Sequence, residues 1–229
     1  ASAQVVEQAG FPAVATSSGA VAAALGFDDS DSMPVDEAFA AVSRVASSVS
    51  VPVTGDMEAG YGLEPVDLAR RLIEAGAVGC NLEDTDHHGD SDLVEPQSHA
   101  KRIQEIKEHA RKLGVDIVLN ARVDVFLRRE SFDRATFEEG VARARLYLEA
   151  GADCIYPIGL SDHVMIGELV SLLQAPINIM MRQDTPPIPR LTELGVARVS
   201  FAGWLMRKAY STLLEDVTAI AKQAGLASS

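Results

Sequence analysis

The sequence predicts an α/β chain folded as a (β/α)8 barrel of the TIM type, and three observations carry that expectation. Short β-branched runs alternate with longer stretches whose apolar residues recur at three- and four-residue spacing. Polar and charged residues collect at the carboxyl ends of at least four of the strand-like runs: Ser17 and Ser18, Asp56 and Glu58, Glu83 and Asp84, Arg122 and Asp124. In a barrel those ends share one rim. The Gly-x-Gly-x-x-Gly turn that opens a dinucleotide-binding sheet is missing, which favours the barrel over a doubly wound sheet.

In chain order, the reading starts with a helical stretch, ASAQVVEQAG, and continues through seven strand candidates: PAVATSS, VPVTGD, VGCNLED, DIVLNARVD, DCIYPIG, INIMM and ARVSFAG. A barrel of this kind needs eight strands, so the first is expected upstream of Ala1. Helical stretches lie between or after the strands, among them PVDLARRLIEAG, AKRIQEIKEHARKLG, FEEGVARARLYLEAG and GWLMRKAYSTLLEDVTAIAKQAG. Gly76, Gly114, Gly151 and Gly195 each close a helical pattern, where glycine supplies a left-handed stop, and a strand follows within a few residues. The acidic stretches FDDSDS and DTDHHGDSD sit in connections, and nothing resembles an interdomain linker. The expectation is one barrel domain over residues 1–229.

Bulk composition narrows the function. The 229 residues are 47% hydrophobic and 23% charged, enough for a sizeable core. A net charge of −13 argues against a nucleic-acid partner, because such proteins offer a basic face to the phosphate backbone. No apolar run approaches the roughly 20 residues of a membrane helix. The start lacks the basic region and apolar stretch of a signal peptide, so a cytoplasmic protein acting on small molecules is expected. Cys80 and Cys154 lie in apolar strand-like runs, read as small buried hydrophobes outside any disulfide framework.

The stretch VPVTGDMEAGYG, Val51 to Gly62, carries Asp56 and Glu58 two residues apart where a strand meets a glycine-rich loop. Strand residues two apart point the same way, so both face a common cavity if the extended geometry continues, with Glu83 joining from the next strand end. Clustered carboxylates raise one another's pKa unless a cation neutralises them, and hard oxygen ligands select Mg²⁺ or Mn²⁺. The alternative is a solvated acidic loop. Arg122 offers a planar fork suited to a carboxylate, or else an ion pair with Asp124 or another rim acid. The run TSSG reads equally as a substrate-binding turn or a helix cap. Tyr61 either contacts substrate or packs.

VPVTGDMEAGYG together with GCNLEDTD, LNARVDVFL and EAGADCIYPIGL resembles the isocitrate lyase and phosphoenolpyruvate mutase superfamily, and the likeness runs across most of the chain. The resemblance implies a Mg²⁺-dependent (or Mn²⁺-dependent) barrel that makes or breaks a bond next to the carbonyl of a small 2-oxo or 2-hydroxy carboxylate, through a metal-stabilised enolate. Asp56 would then hold the metal directly or through water, with Glu58 and Glu83 on metal-bound waters. Ser17, Ser18 and Gly19 would bind substrate oxygens, Asp29 would act near the metal waters, and Arg122 would grip the substrate carboxylate. A homo-oligomer, a dimer or a tetramer of dimers exchanging C-terminal helices, is implied as well.

Two departures bear on substrate. The family often has Asp-x-Asp before Gly-Tyr-Gly, whereas this chain has Asp56-Met57-Glu58. The lyases that split isocitrate or methylisocitrate resemble one another in a Lys-Lys-Cys-Gly-His lid motif, and phosphonate members in a lysine and an asparagine in that lid; the stretch DTDHHGDSDLVEPQSHAKR has no cysteine, and neither lysine nor asparagine before Lys101. Three readings follow. The first is a lyase, decarboxylase or hydrolase acting on an oxaloacetate-like dicarboxylate. The second is a carbon–phosphorus bond enzyme, and the third a non-catalytic metabolite-binding barrel. Thr85 to Pro96 is read as a lid that orders with ligand. His87 and His88 within it titrate in a suitable range but are left outside the catalytic set, since adjacent histidines in an acidic loop are more often solvated.

Overall fold

A computed structural model describes residues 1–28, 33–87, 89, 91–128 and 133–226. Asp29 and His88 lie outside the described residues. Seven strands form where the sequence places them: β1 Val14–Ala15, β2 Val53–Asp56, β3 Gly79–Leu82, β4 Val118–Arg122, β5 Cys154–Tyr156, β6 Asn178–Met180 and β7 Arg198–Ser200. All pair in parallel and in sequence order, β1 to β5 in one sheet and β6 with β7 in another, bridged at Ile155 and Ile177. This is the strand order of the expected barrel. Closure is not seen: among the described residues no pairing joins β7 back to β1.

Helices α1 Ser2–Gln8, α2 Ser18–Leu25, α3 Val35–Ala46, α4 Pro65–Glu74, α5 Pro96–Lys112, α6 Val125–Arg128, α7 Arg134–Glu149, α8 His163–Leu173, α9 Ile188–Glu193 and α10 Trp204–Gln223 connect and follow the strands. Proline at the first turn starts α4 and α5, where a missing N–H costs nothing. The four glycines expected to stop helices all have positive φ, from 82° at Gly76 to 101° at Gly151, a backbone that side chains resist.

The core lies between sheet and helices. β3 is buried along its whole length, as a parallel strand covered on both faces must be. Leu68, Ala69 and Leu72 of α4, Ile103, Ile106 and Ala110 of α5, and Phe137, Ala144 and Tyr147 of α7 seal the outer face. Gly79 permits the tight join of β3 and β4, since a Cβ there would stand 2.4 Å from the Val118 carbonyl oxygen. At the amino-terminal end of the strands, buried Lys107 donates to the Ile117 carbonyl (2.6 Å) and to Asp153 (2.8 Å), and Asp153 also accepts from the Leu119 N–H, tying α5 to β4 and β5. The cysteines sit in β3 and β5, free and buried. Burial, then Asp56, pushes the Cys80 thiol up to about 12, and burial pushes Cys154 up to about 11, as expected of packing residues.

α10 differs from the other helices: none of its residues is buried, and Trp204, Leu205, Tyr210, Leu213, Leu214, Val217 and Ile220 are exposed. No helix among the described residues is long and apolar enough to cross a membrane.

Candidate active site at the carboxyl rim

The register sets which rim side chains meet. Asp56 is level with Asn81, and Asn81 with Asn120, so these three form one layer. Side chains two residues further on return to the same face, which puts Glu83 and Arg122 together in the next layer, with Tyr156 level with Arg122.

In the lower layer, Asp56 Oδ2 accepts from the Ser18 N–H (2.9 Å) and from Ser18 Oγ (3.0 Å), while Asp56 Oδ1 accepts from Asn81 Nδ2 (3.2 Å). Asn81 Oδ1 in turn accepts from Asn120 Nδ2 (2.8 Å). Asn81 and Asn120 were not singled out in the sequence, although a polar residue inside an otherwise apolar strand was the available signal. Ser17 caps α2, accepting from the Ala20 N–H at 3.4 Å, and Gly19 is the second residue of that helix. The run TSSG is therefore a cap at Ser17 and an Asp56 partner at Ser18.

The extended geometry on which a common facing of Asp56 and Glu58 depended does not continue through Glu58. Ladder bonding continues past Asp56, with the Met57 N–H donating to the Asn81 carbonyl (3.2 Å) and the Glu83 N–H to the Glu58 carbonyl (2.9 Å). Glu58 itself adopts φ 48° and Tyr61 φ 52°, a left-handed backbone that non-glycine residues enter at a cost and that clusters at functional sites. The Glu58 carboxylate stands beside Glu83, where Tyr61 Oη donates to it at 3.0 Å.

Glu58, Glu83 and His87 each offer a ligand atom, all within 4.8 Å of one another, the donor set of a candidate metal site. Two carboxylate oxygens and an imidazole nitrogen fit a divalent cation. His87, left outside the catalytic set on sequence grounds, is thus brought to the site: its Nε2 lies 2.5 Å from Glu83 Oε1. Asp56, on its Ser18 and Asn81 contacts, is not in that group.

Arg122 is only 9% exposed and is an ion-pair partner as well as a rim cation. It grips Asp124 with two nitrogens, Nε at 3.1 Å and Nη2 at 2.7 Å, and pairs with Glu83 through Nη1. Burial works to depress the Arg122 guanidinium, but Asp124, Glu83 and Asp56 outweigh it and hold it well above its ordinary value. Burial pushes the Glu83 carboxyl up, against the pull of His87 and Arg122, with Asp124 and Asp56 adding to the rise. Asp124, Glu83 and Asp56 thus act on one guanidinium, and Glu58 stands beside Glu83, a surplus of negative charge that a cation would offset.

Behind this layer stands an outer network. Asp84, fully buried, accepts from Tyr147 Oη (2.6 Å), Arg143 Nη1 (3.1 Å) and the Asp124 N–H (2.8 Å). The expected lid has both ends tied beside it: Thr85 bridges Leu93 in antiparallel fashion, and the Val94 N–H donates to the Asp84 carbonyl at 2.8 Å. A cavity of about 310 Å³ opens between α4 and α5 beside the site, with Ala59, Glu83, His99 and Arg102 on its wall.

The profile of the phosphoenolpyruvate phosphomutase family matches residues 1–221. The chain is 28% identical to 2-methylisocitrate lyase of Escherichia coli K12 over 234 residues, covering 96% of this chain and 76% of that protein. It is 28% identical to oxaloacetate decarboxylase 2 of Pseudomonas fluorescens Pf0-1 over 195 residues, 81% of this chain and 64% of the relative. A crystal structure from Burkholderia cenocepacia J2315, provisionally assigned as a phosphonomutase, superposes with a TM-score of 0.89 at 39% identity, over 95% of this chain and 89% of that one. The chain belongs to the phosphoenolpyruvate phosphomutase family, and is a lyase-type enzyme of the isocitrate lyase and phosphoenolpyruvate mutase superfamily.

Proposed function

We propose that the protein is a Mg²⁺-dependent or Mn²⁺-dependent enzyme that makes or breaks a carbon–carbon bond next to the carbonyl of a small 2-oxo or 2-hydroxy dicarboxylate, with oxaloacetate as the type of substrate. The observation that carries this reading is the adjacency of Arg122 to the Glu58, Glu83 and His87 donor set. A fixed anion-binding fork next to a cation site suits a molecule with a carboxylate beside a carbonyl.

Glu58, Glu83 and His87 would hold the cation, with Asp56 reaching it directly or through water; when bound, a divalent cation supplies positive charge against the negative charge that develops on the substrate's oxygen atoms. Arg122, locked on Asp124, presents its remaining donor capacity to a substrate carboxylate and pre-orients it. Gly19 offers its backbone N–H to substrate oxygens from the start of α2, while Ser18, whose N–H and hydroxyl go to Asp56, orients that carboxylate; the family resemblance gives Asp29 a role near the metal waters. Burial of Glu58, Glu83 and Arg122 excludes water from the charges that do this work. The relatives named for 2-methylisocitrate cleavage and oxaloacetate decarboxylation support the reaction class.

A second reading, chemistry at a carbon–phosphorus bond, draws on the likeness to the Burkholderia structure, and the missing lid lysine weighs against it. One experiment separates the two: purified protein with Mg²⁺ is assayed against oxaloacetate, 2-methylisocitrate, isocitrate, dimethylmalate and phosphonopyruvate. Turnover of a dicarboxylate supports the first reading. Turnover of phosphonopyruvate alone replaces it with the second, and no turnover with no Mg²⁺ binding leaves a non-catalytic barrel.

The same reading takes residues 1–229 as one barrel domain in the cytoplasm, assembled as a homo-oligomer. The exposed apolar face of α10 supports the assembly, since a second copy seated on it would remove that face from water.

A further inference from the structure

We propose that Arg143 and Tyr147 of α7 are positioning residues: through Asp84 they set both the Arg122 clamp and the two ends, Thr85 and Val94, of the connection from β3 to α5. This rests on the reading of Arg122 as the carboxylate clamp, but the geometry that argues for it is independent of the reaction.

Asp84 has two oxygens and divides them. Oδ2 takes Tyr147 Oη at 2.6 Å and Arg143 Nη1 at 3.1 Å, both from α7, while Oδ1 takes the Asp124 N–H at 2.8 Å. α7 therefore fixes the carboxylate, and the carboxylate fixes the backbone of Asp124. The Asp124 side chain carries the constraint onward, holding Arg122 by two nitrogens and accepting from Thr85 Oγ1 at 2.7 Å. Thr85 is the leading end of the connection from β3 to α5. At the trailing end, Val94 donates its N–H to the Asp84 carbonyl at 2.8 Å and accepts from Arg143 Nη1 at 2.9 Å. One buried cluster thus touches the clamp and both ends of that connection.

Two features distinguish this from ordinary core packing. Asp84 and Tyr147 are fully buried and Arg143 nearly so, and burying charge costs stability that an apolar trio of the same volume would not incur. The arrangement defines where Asp124 and Val94 sit, which apolar side chains would not do. α7 also reaches close enough only because residue 140 is glycine: a Cβ there would lie 2.3 Å from the Phe126 ring, on the short helix that follows Asp124. The Asp84 and Arg143 charges cancel, so the network shapes the site without adding to its net charge.

The test compares the full-length wild type with Tyr147→Phe, which keeps the ring, and Arg143→Lys, which keeps the charge. Leu191→Ala, buried in α9 away from the network, is the control for general loss of stability. Two readouts are taken: the Kd of oxalate in saturating Mg²⁺ by calorimetry, and hydrogen exchange of peptides covering residues 85–96 and 120–126. The expected result is a Kd raised about tenfold in both network variants, the worth of one hydrogen bond to a charged acceptor, with Mg²⁺ affinity within about twofold of wild type. Exchange in the two peptides should quicken while peptides of α2 and α10 stay unchanged, and Leu191→Ala should leave the oxalate Kd alone. Wild-type oxalate affinity and wild-type exchange in both network variants would overturn the proposal. If the wild type itself binds no oxalate, the reading of Arg122 falls, and the exchange data alone decide: faster exchange in the two peptides supports positioning by α7, unchanged exchange refutes it.

Discussion

Replacing His99 by Phe is expected to make the protein's stability less sensitive to acid. His99 is 2% exposed in α5, with its ring edge-on to Tyr147 at 4.8 Å, and its Nε2 has no hydrogen-bond partner among the protein groups described. Burial, helped by Arg102 and Arg143 and opposed by Asp124, lowers its pKa from 6.5 to about 3. A histidine depressed in the folded state stays neutral there while the unfolded chain takes up a proton. The stability it contributes is therefore complete above pH 6.5 and is lost progressively as pH falls towards 3. Across that whole window the loss is about 5 kcal/mol, and between about pH 7 and about pH 5.5 it is about 1 kcal/mol. Phe at this position keeps the edge contact with Tyr147 and removes the titration. Urea unfolding of wild type and His99→Phe at the two pH values measures the difference: the wild type should lose about 1 kcal/mol more than the variant. Equal losses would refute the assignment of a neutral, buried imidazole.

Asp56→Ala should abolish both Mg²⁺ binding and turnover, because the carboxylate anchors Ser18 and Asn81 and, on the proposed reading, reaches the cation directly or through water; wild-type Mg²⁺ affinity by calorimetry would sink that role. Peptides covering residues 85–96 should exchange hydrogen more slowly with Mg²⁺ and oxalate than with Mg²⁺ alone, since a segment so poor in apolar residues draws its order from ligand contacts. Equal exchange in the two states would remove the lid. Light scattering should give a mass of at least a dimer, and Leu214→Glu in α10 should lower it by opposing the burial of that face. A monomeric wild type would remove the assembly.

Much of the fold was legible because it depends on local pattern. Each strand candidate holds one observed strand, since β-branched runs between glycine-stopped helices have few other uses, and Pro65, Gly76 and Gly114 mark helix ends by backbone chemistry alone. α5 starts four residues before the stretch AKRIQEIKEHARKLG, at Pro96, where polar Gln97 and Ser98 hid the first turn. The rim acids and Arg122 were found because charge at the end of an apolar strand is conspicuous. The direction of Glu58 was not legible: the alternation rule holds only while the chain stays extended, and a left-handed residue ends it. Arg143 and Tyr147 were missed for a different reason. They lie 59 and 63 residues from Asp84, inside a helix whose pattern reads as ordinary amphipathic sequence, and only the tertiary fold turns them inward onto a carboxylate.

The central claim is that one rim site takes a divalent cation and an oxo-acid together, with Arg122 as the carboxylate clamp. Oxalate, which mimics the enolate of such a substrate, tests it by calorimetry in Mg²⁺ and in EDTA, using wild type and Arg122→Lys. Lysine keeps the charge that Asp124 and Glu83 require and removes the planar fork. The account predicts binding by the wild type in Mg²⁺ alone, none in EDTA, and a Kd raised at least about tenfold in Arg122→Lys. Oxalate binding of equal strength in EDTA, or unchanged by Arg122→Lys, would contradict it.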